Sequence, residues 1–293
     1  MSQRGKKIVS GLMTSIVIML TVTLSVQAGD MMEMGPNTGK VSVSAGSDWT
    51  SAYFFRGILQ EDQGLILQPW AELGLNLGRV DLSLGSWNSF HDEQTGAGED
   101  TTSDSWYEAD FYLGLATPIN EMLSLSVTYT SYTSPNDAFD TVNDLAFGLG
   151  YDDSGSEGLA LNPSLTVIFE TDGQADQNGE PTGTDEGVYV EIAIAPSFSP
   201  SADGALSNLS VEVPVTLGLS AEDYFEDGDG DDDTFGYLDI GIEGSLPLAV
   251  PADSGVWSLT AGVHFLYLGD NLEQINNDDD FEVIGTLGVS MEY

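Results

Sequence analysis

The sequence predicts an all-β fold, a transmembrane antiparallel up-and-down β-barrel of about 12 strands. Three observations lead there. Apolar and polar side chains alternate with period two through segments long enough to cross a bilayer. The connections between those segments alternate long and short, and an export signal stands at the amino terminus.

The signal comes first in the chain. Arg4, Lys6 and Lys7 form a basic start, residues 8–26 an apolar stretch, and Val26-Gln27-Ala28 supplies small residues for cleavage after Ala28. Residues 1–28 therefore read as a signal peptide, 29–40 as a periplasmic N-terminal segment and 41–293 as the barrel. An uncleaved anchor is the alternative, because the apolar run is near spanning length. No Cys occurs, which closes the lipoprotein route and any disulfide framework.

Removing residues 1–28 leaves three basic side chains, Lys40, Arg56 and Arg79, against 48 acidic ones, a formal charge of −45. Repulsion excludes nucleic acid and other polyanions as partners. Such charge could mark a disordered chain, but apolar residues are ordinary in number and interleave with the acids.

The last strand shows the alternation best. Phe281, Val283, Leu287, Val289, Met291 and Tyr293 share one face, and Glu282, Thr286, Ser290 and Glu292 the other. Twelve such segments follow one another: 41–55, 63–77, 80–90, 106–118, 121–134, 142–152, 159–171, 187–198, 207–221, 235–247, 255–269 and 280–293. No amphipathic helix is expected beyond the signal. Long, Asp-rich connections (91–105, 171–187, 221–234, 270–280) alternate with tight ones such as Gly78-Arg79 and Ile119-Asn120. That is the pattern of external loops and periplasmic turns, and an even strand count returns both termini to the periplasmic side.

Trp49, Tyr53, Trp70, Tyr129, Tyr132, Phe169, Tyr267 and Tyr293 stand near strand ends, where barrels carry aromatic girdles. The terminal aromatic after alternating apolar residues resembles the signal read by the barrel assembly machinery. Outer-membrane lipid and that machinery are the partners implied; oligomeric state is open. A secreted β-sandwich is the competing architecture, but its strands should be shorter and its loops should not alternate in length.

In a barrel the polar face lines the lumen. That face carries Asp48, Arg56, Glu72, Asp81, Glu108, Asp110, Asp152, Glu170, Glu191, Glu212, Asp239, Glu243 and Glu282. One reading is a water-filled pore whose negative lining favours cations. The other is a filled interior in which Arg56 is a hub for two or three carboxylates. The small residues Ser42, Ser44, Gly46, Gly74, Ser83, Gly85, Gly241 and Ser245 on this face argue for open space.

Ser51-Ala52-Tyr53-Phe54-Phe55-Arg56-Gly57-Ile58-Leu59-Gln60 resembles the S-x-Y-x-F-R-G-I-x-Q signature of a family of bacterial outer-membrane proteins, the TorF-type porins. Gly85-x-Trp87-x-Ser89 is similar to that family's next ascending strand. Ala52 and Leu59 stand where polar residues are common in the family, and the external loops here are longer and more acidic. The resemblance spans about forty residues and implies a porin-like barrel.

Two further features bear on chemistry. Asp227, Asp229 and Asp231 alternate with Gly as in the first half of a calcium loop, but Leu238 or Ile240 falls at the twelfth position, where an EF-hand needs Glu. Loosely shared divalent cations (Ca or Mg) at these loops are the only cofactor suggested. His91, beside Asp92 at the start of an external loop, is where a general base could sit; His264 lies mid-strand on the lumen face. Neither has a nucleophile motif, so no enzyme is expected. The resulting expectation is a passive channel for small hydrophilic solutes or ions that prefers cations. A non-conducting structural or adhesive barrel presenting acidic loops is the alternative, and an outer-membrane hydrolase a third.

Overall fold

The computed structural model describes residues 39–92, 105–155, 158–173, 175, 186–200, 204–227 and 231–293. The expected signal peptide, and all but Gly39 and Lys40 of the segment after it, lie outside the described residues.

Strands form where the alternation said they would. In chain order they begin β1 (Val41–Thr50), β2 (Tyr53–Phe55), β3 (Ile58–Glu61), β4 (Ile66–Asn76) and β5 (Asp81–His91). Next come β6 (Trp106–Pro118), β7 (Leu123–Thr133), β8 (Val142–Tyr151), β9 (Ser164–Asp172), β10 (Val188–Ile194) and β11 (Ser197–Phe198). The last are β12 (Ser210–Glu212), β13 (Val215–Glu222), β14 (Phe235–Pro247), β15 (Val256–Leu268) and β16 (Phe281–Glu292). β10 with β11 makes one wall strand, as does β12 with β13, and β2 and β3 pair only with each other. The wall is thus a 12-strand antiparallel barrel. Each strand pairs with its sequence neighbours, and β1 closes the ring on β16 with Ser44 opposite Glu292 and Thr50 opposite Thr286. Closure leaves no edge strand, and the ladders satisfy the backbone groups that lipid cannot.

The pleat sorts the side chains. Leu113, Phe147 and Val283 project outward and are about half exposed, while their neighbours Tyr112, Gly148 and Ile284 turn in. An outward belt of this composition would be costly in water, at about 25 cal/mol per Å². It is the lipid-facing surface of a membrane-spanning barrel. At the end opposite the long loops short polar side chains close the chain. Asn76 Oδ1 accepts the Gly78 N–H (3.0 Å), and Asp153 accepts the N–H groups of Leu161 and Asn162 (2.9 and 2.8 Å). Those two bonds hold the exposed Asp153 carboxyl below the ordinary carboxylate range.

Three local departures from the expected elements have identifiable causes. The first strand stops at Thr50, whose hydroxyl donates to Ala52 O (2.6 Å), and the chain bends into the lumen as the β2–β3 hairpin. Pro196 and Pro214 break the expected strands 187–198 and 207–221 because neither can donate to a ladder. Their carbonyls still accept, from Val213 N (2.9 Å) and Gly241 N (2.8 Å). Finally, the connection 270–280 holds a short helix, α1 (Asp270–Ile275), too brief to show a helical period in sequence.

Candidate functional site

The site is the tip of the inner hairpin. Phe55-Arg56-Gly57-Ile58 turns in two residues, both with positive φ (Arg56 +48°, Gly57 +84°), the geometry that matches strand twist in a tight hairpin. Glycine takes it freely. Arginine pays about 1–2 kcal/mol for the left-handed region, so its side chain must be well held, and it is. Nη2 donates to Asp144 Oδ2 (2.6 Å) and Tyr132 OH (3.3 Å), and Nη1 to Tyr224 OH (2.6 Å). The guanidinium also lies 4.8 Å from the Phe55 ring centroid, 4.9 Å from that of Tyr189 and 5.4 Å from that of Tyr224. Desolvated cation–π contacts of this kind contribute about 2 kcal/mol. Arg56 is buried, joined directly to one carboxylate rather than to two or three.

The hairpin is tethered along its length. The Asn276 amide donates to Gly57 O (2.6 Å) and accepts from Leu59 N (2.8 Å), fastening the β15–β16 connection to the turn. Tyr53 donates to Glu108 Oε2 (2.8 Å), and Tyr107 to Gln60 Oε1. Around these bonds two apolar clusters pack inside the barrel at the end that carries the long connections. One joins Phe54 to Tyr189, Tyr224, Phe225, Tyr237 and Leu272; the other joins Tyr53 to Ile66 and Tyr107. A Cβ on Gly57 would sit 2.6 Å from Leu272 Cδ1. Gly57→Ala should therefore cost stability twice, by clash and by backbone strain, about 2–3 kcal/mol together. A denaturant titration of the folded barrel in detergent checks this, and an unshifted midpoint would contradict it.

A second charged cluster lies across the lumen. His264 Nδ1 is 2.8 Å from Asp239 Oδ2 and Nε2 is 3.0 Å from Glu243 Oε1, with the ring fully buried. Where both carboxyls are ionised they only accept, and the ring between them is then an imidazolium that donates from both nitrogens. Glu212 lies opposite Glu243 in the β12–β14 ladder.

The expected lumen residues fall as follows. Asp48, Glu108, Asp110, Glu191, Glu212, Asp239 and Glu243 are buried inside, and Glu72, Asp81 and Glu282 are half-buried. Asp48 accepts from Trp70 Nε1 (3.2 Å), and Glu72 accepts from Tyr112 OH (3.0 Å). Asp81 accepts from Asn76 Nδ2 (2.8 Å) beside the β4–β5 turn, and Asp152 caps Ser154 N (2.9 Å) in the β8–β9 connection. Glu170 accepts the N–H groups of Ala175 (2.7 Å) and Gly187 (2.8 Å), pinning the loop above β9. Sequence reasoning missed Asp144 and Tyr224. Asp144 was within reach, since Leu145, Phe147 and Leu149 alternate outward and put it on the inner face. Tyr224 sits in an acidic loop with no periodicity to place it.

Several expectations are corrected. Tyr53 and Tyr132 are buried inside, and Trp70 faces Asp48, so they belong to no girdle; Trp49, Tyr129, Phe169, Tyr267 and Tyr293 do project outward. The small lumen residues do not all leave space. The Trp70 ring occupies the place of a Cβ on Gly46 (2.7 Å), and the Tyr112 ring that on Gly85 (2.1 Å). Large inward rings lie over the glycine of the adjacent strand. His91 ends β5 rather than opening a loop, buried against Tyr107 (centroids 4.4 Å) with Nε2 2.7 Å from Ser89 Oγ. Of the suggested cation ligands, Asp227 Oδ1 accepts the Asp231 N–H (3.0 Å) as a turn cap, and Asp229 lies outside the described residues. Among the described residues no cluster of three metal-ligating side chains occurs.

No protein-family model matches the chain, and no curated protein matches it in sequence. Solved structures do resemble it. An outer-membrane channel from Pseudomonas putida F1 is 11% identical, with a TM-score of 0.48 over 91% of this chain and 100% of that one. The NanC porin is 12% identical, with a TM-score of 0.45 over 86% of this chain and 98% of that one. LpxR from Salmonella typhimurium is 8% identical, with a TM-score of 0.44 over 85% of this chain and 99% of that one. The likeness to all three is one of fold.

Proposed function

We propose that the chain is an outer-membrane, porin-like channel for passive diffusion of small hydrophilic solutes or ions, that it prefers cations, and that the inner hairpin is its constriction. One observation carries this reading. The interior buries ten carboxylates (Asp48, Glu61, Glu108, Asp110, Asp144, Glu170, Glu191, Glu212, Asp239 and Glu243), and the buried cations facing them among the described residues are Arg56 and His264. A narrow, weakly screened interior with that imbalance attracts cations and repels anions. The resemblance of Ser51–Gln60 to the TorF-type porin signature supports the same reading, because that segment forms the hairpin.

The filled extracellular half favours a second reading, a barrel that stays closed and only presents its acidic loops. Planar-bilayer recording of the refolded barrel across a salt gradient separates the two. The expected result is discrete steps with a reversal potential on the cation side. A folded, heat-modifiable barrel that gives no steps would overturn the channel, and an anion-side potential would overturn its selectivity.

A further inference from the structure

Behind the inner hairpin two carboxyls meet. Glu108 and Asp110 stand two apart on β6, both turned into the lumen and buried, and they hydrogen-bond each other. A bond between carboxyls needs a proton on one of them, because ionised carboxylates only accept. Tyr53 OH already donates to Glu108 Oε2 (2.8 Å), which marks Glu108 as the acceptor and Asp110 as the holder of the proton. Asp110 Oδ1 agrees with this, being buried with no N–H or hydroxyl donor among the described residues. Strand β2 roofs the pair. Tyr53 packs on Trp87 (centroids 5.3 Å) and Phe55 on Tyr132 (5.1 Å), and Trp87 and Tyr132 are the ladder neighbours of Asp110 on its two sides.

We propose that Glu108 and Asp110 hold one proton between them and that this proton latches the inner hairpin, so that alkaline pH opens the constriction. The gating half of this inference rests on the channel reading; the shared proton does not. The groups facing the pair do not replace the proton. Arg56 is held by Asp144 (2.6 Å). His91 on β5 has Nε2 on Ser89 Oγ (2.7 Å), and its Nδ1 has no partner among the described residues. Glu61 on the hairpin is a further acid, accepting the Asp62 and Gln63 N–H groups (3.0 and 2.8 Å). Tyr53, Tyr107 and Tyr132 carry no charge below about pH 9, and Tyr112 donates to Glu72. Losing the proton therefore leaves two like charges in one buried place, and each needs water or a counter-ion. Admitting either means lifting β2 from Trp87 and Tyr132. An unfolded chain gives up such a proton near about pH 4, so the stability it lends falls as pH rises and is gone once the folded pair also releases it.

Infrared difference spectra of the detergent-folded barrel between about pH 6 and about pH 9 test the proton. The parent should lose the carbonyl band of a protonated carboxyl as pH rises. Asp110→Asn, whose amide donates to Glu108 at every pH, should lack that change. Should this variant not fold, Glu108→Gln removes the same charge and keeps an oxygen for Tyr53. Bilayer recording over the same range tests the latch. The open fraction of the parent should rise by up to about tenfold per pH unit, the limit for one proton, and the variant should lose that dependence. Identical difference spectra in parent and variant would overturn the shared proton. A band that titrates while the open fraction stays constant would overturn the latch and leave the channel reading intact. A barrel that gives no steps at any pH overturns the channel reading alone, and a urea midpoint that falls with pH more in the parent than in the variant still supports the latch.

Discussion

Replacing Arg56 with alanine should release the inner hairpin and destabilise the barrel by about 3–5 kcal/mol, the cost of leaving a buried charge without its partner. Asp144 would lose the bond to Nη2, Tyr224 and Tyr132 would lose their donors, and four aromatic rings (Phe55, Tyr132, Tyr189 and Tyr224) would lose the cation they surround. The second consequence is functional. With the tip unpinned, Asn276, the Tyr53–Glu108 and Tyr107–Gln60 bonds and apolar packing are left to hold the hairpin, so in the proposed channel open time and conductance should both rise. Arg56→Lys should recover only part of the loss. A single ammonium carries the charge but has no fork to reach Asp144 and Tyr224 together. Urea titration in detergent reads stability, and bilayer recording reads the gate. A variant matching the parent in both would show that packing alone seats the hairpin.

His264→Leu should be comparably severe, again about 3–5 kcal/mol, because it strands Asp239 and Glu243 in the lumen wall with Glu212 close behind. The physical cause is testable by repair. Neutralising the partners as well (His264→Leu with Asp239→Asn and Glu243→Gln) should return most of the stability, since the penalty is uncompensated charge rather than lost volume. The temperature at which the folded form disappears on an unboiled gel is a sufficient readout. If the triple variant is worse than the single one, the cluster acts through packing and the electrostatic account fails.

How much of this was legible in advance varies by element. The wall strands were, because a closed sheet between lipid and a polar interior imposes period two on every strand; 281–293 shows it at all but Ile284 and Gly285. Burial of Glu108, Asp110, Glu191 and Asp239 follows from the same parity. The hairpin was not legible as a plug. Phe54, Phe55, Ile58 and Leu59 continue an apolar run that reads equally as wall, and nothing local tells a chain whether it stays in the wall or folds inward. The helix 270–275 and the placement of Asn276 were hidden for a related reason, since six residues give less than two turns.

The sequence by itself determined that the chain is a twelve-stranded antiparallel barrel with an apolar outside and an acidic inside, because alternation, loop lengths and parity are local quantities. Only the tertiary structure decided that this inside is filled at the long-loop end. The decision depends on side chains far apart in the chain meeting at one point: Arg56 with Asp144 and Tyr224, Gly57 with Asn276, His264 with Asp239 and Glu243. Pairing across a lumen is set by register and by the volume of the rings between, and neither is written in any one segment.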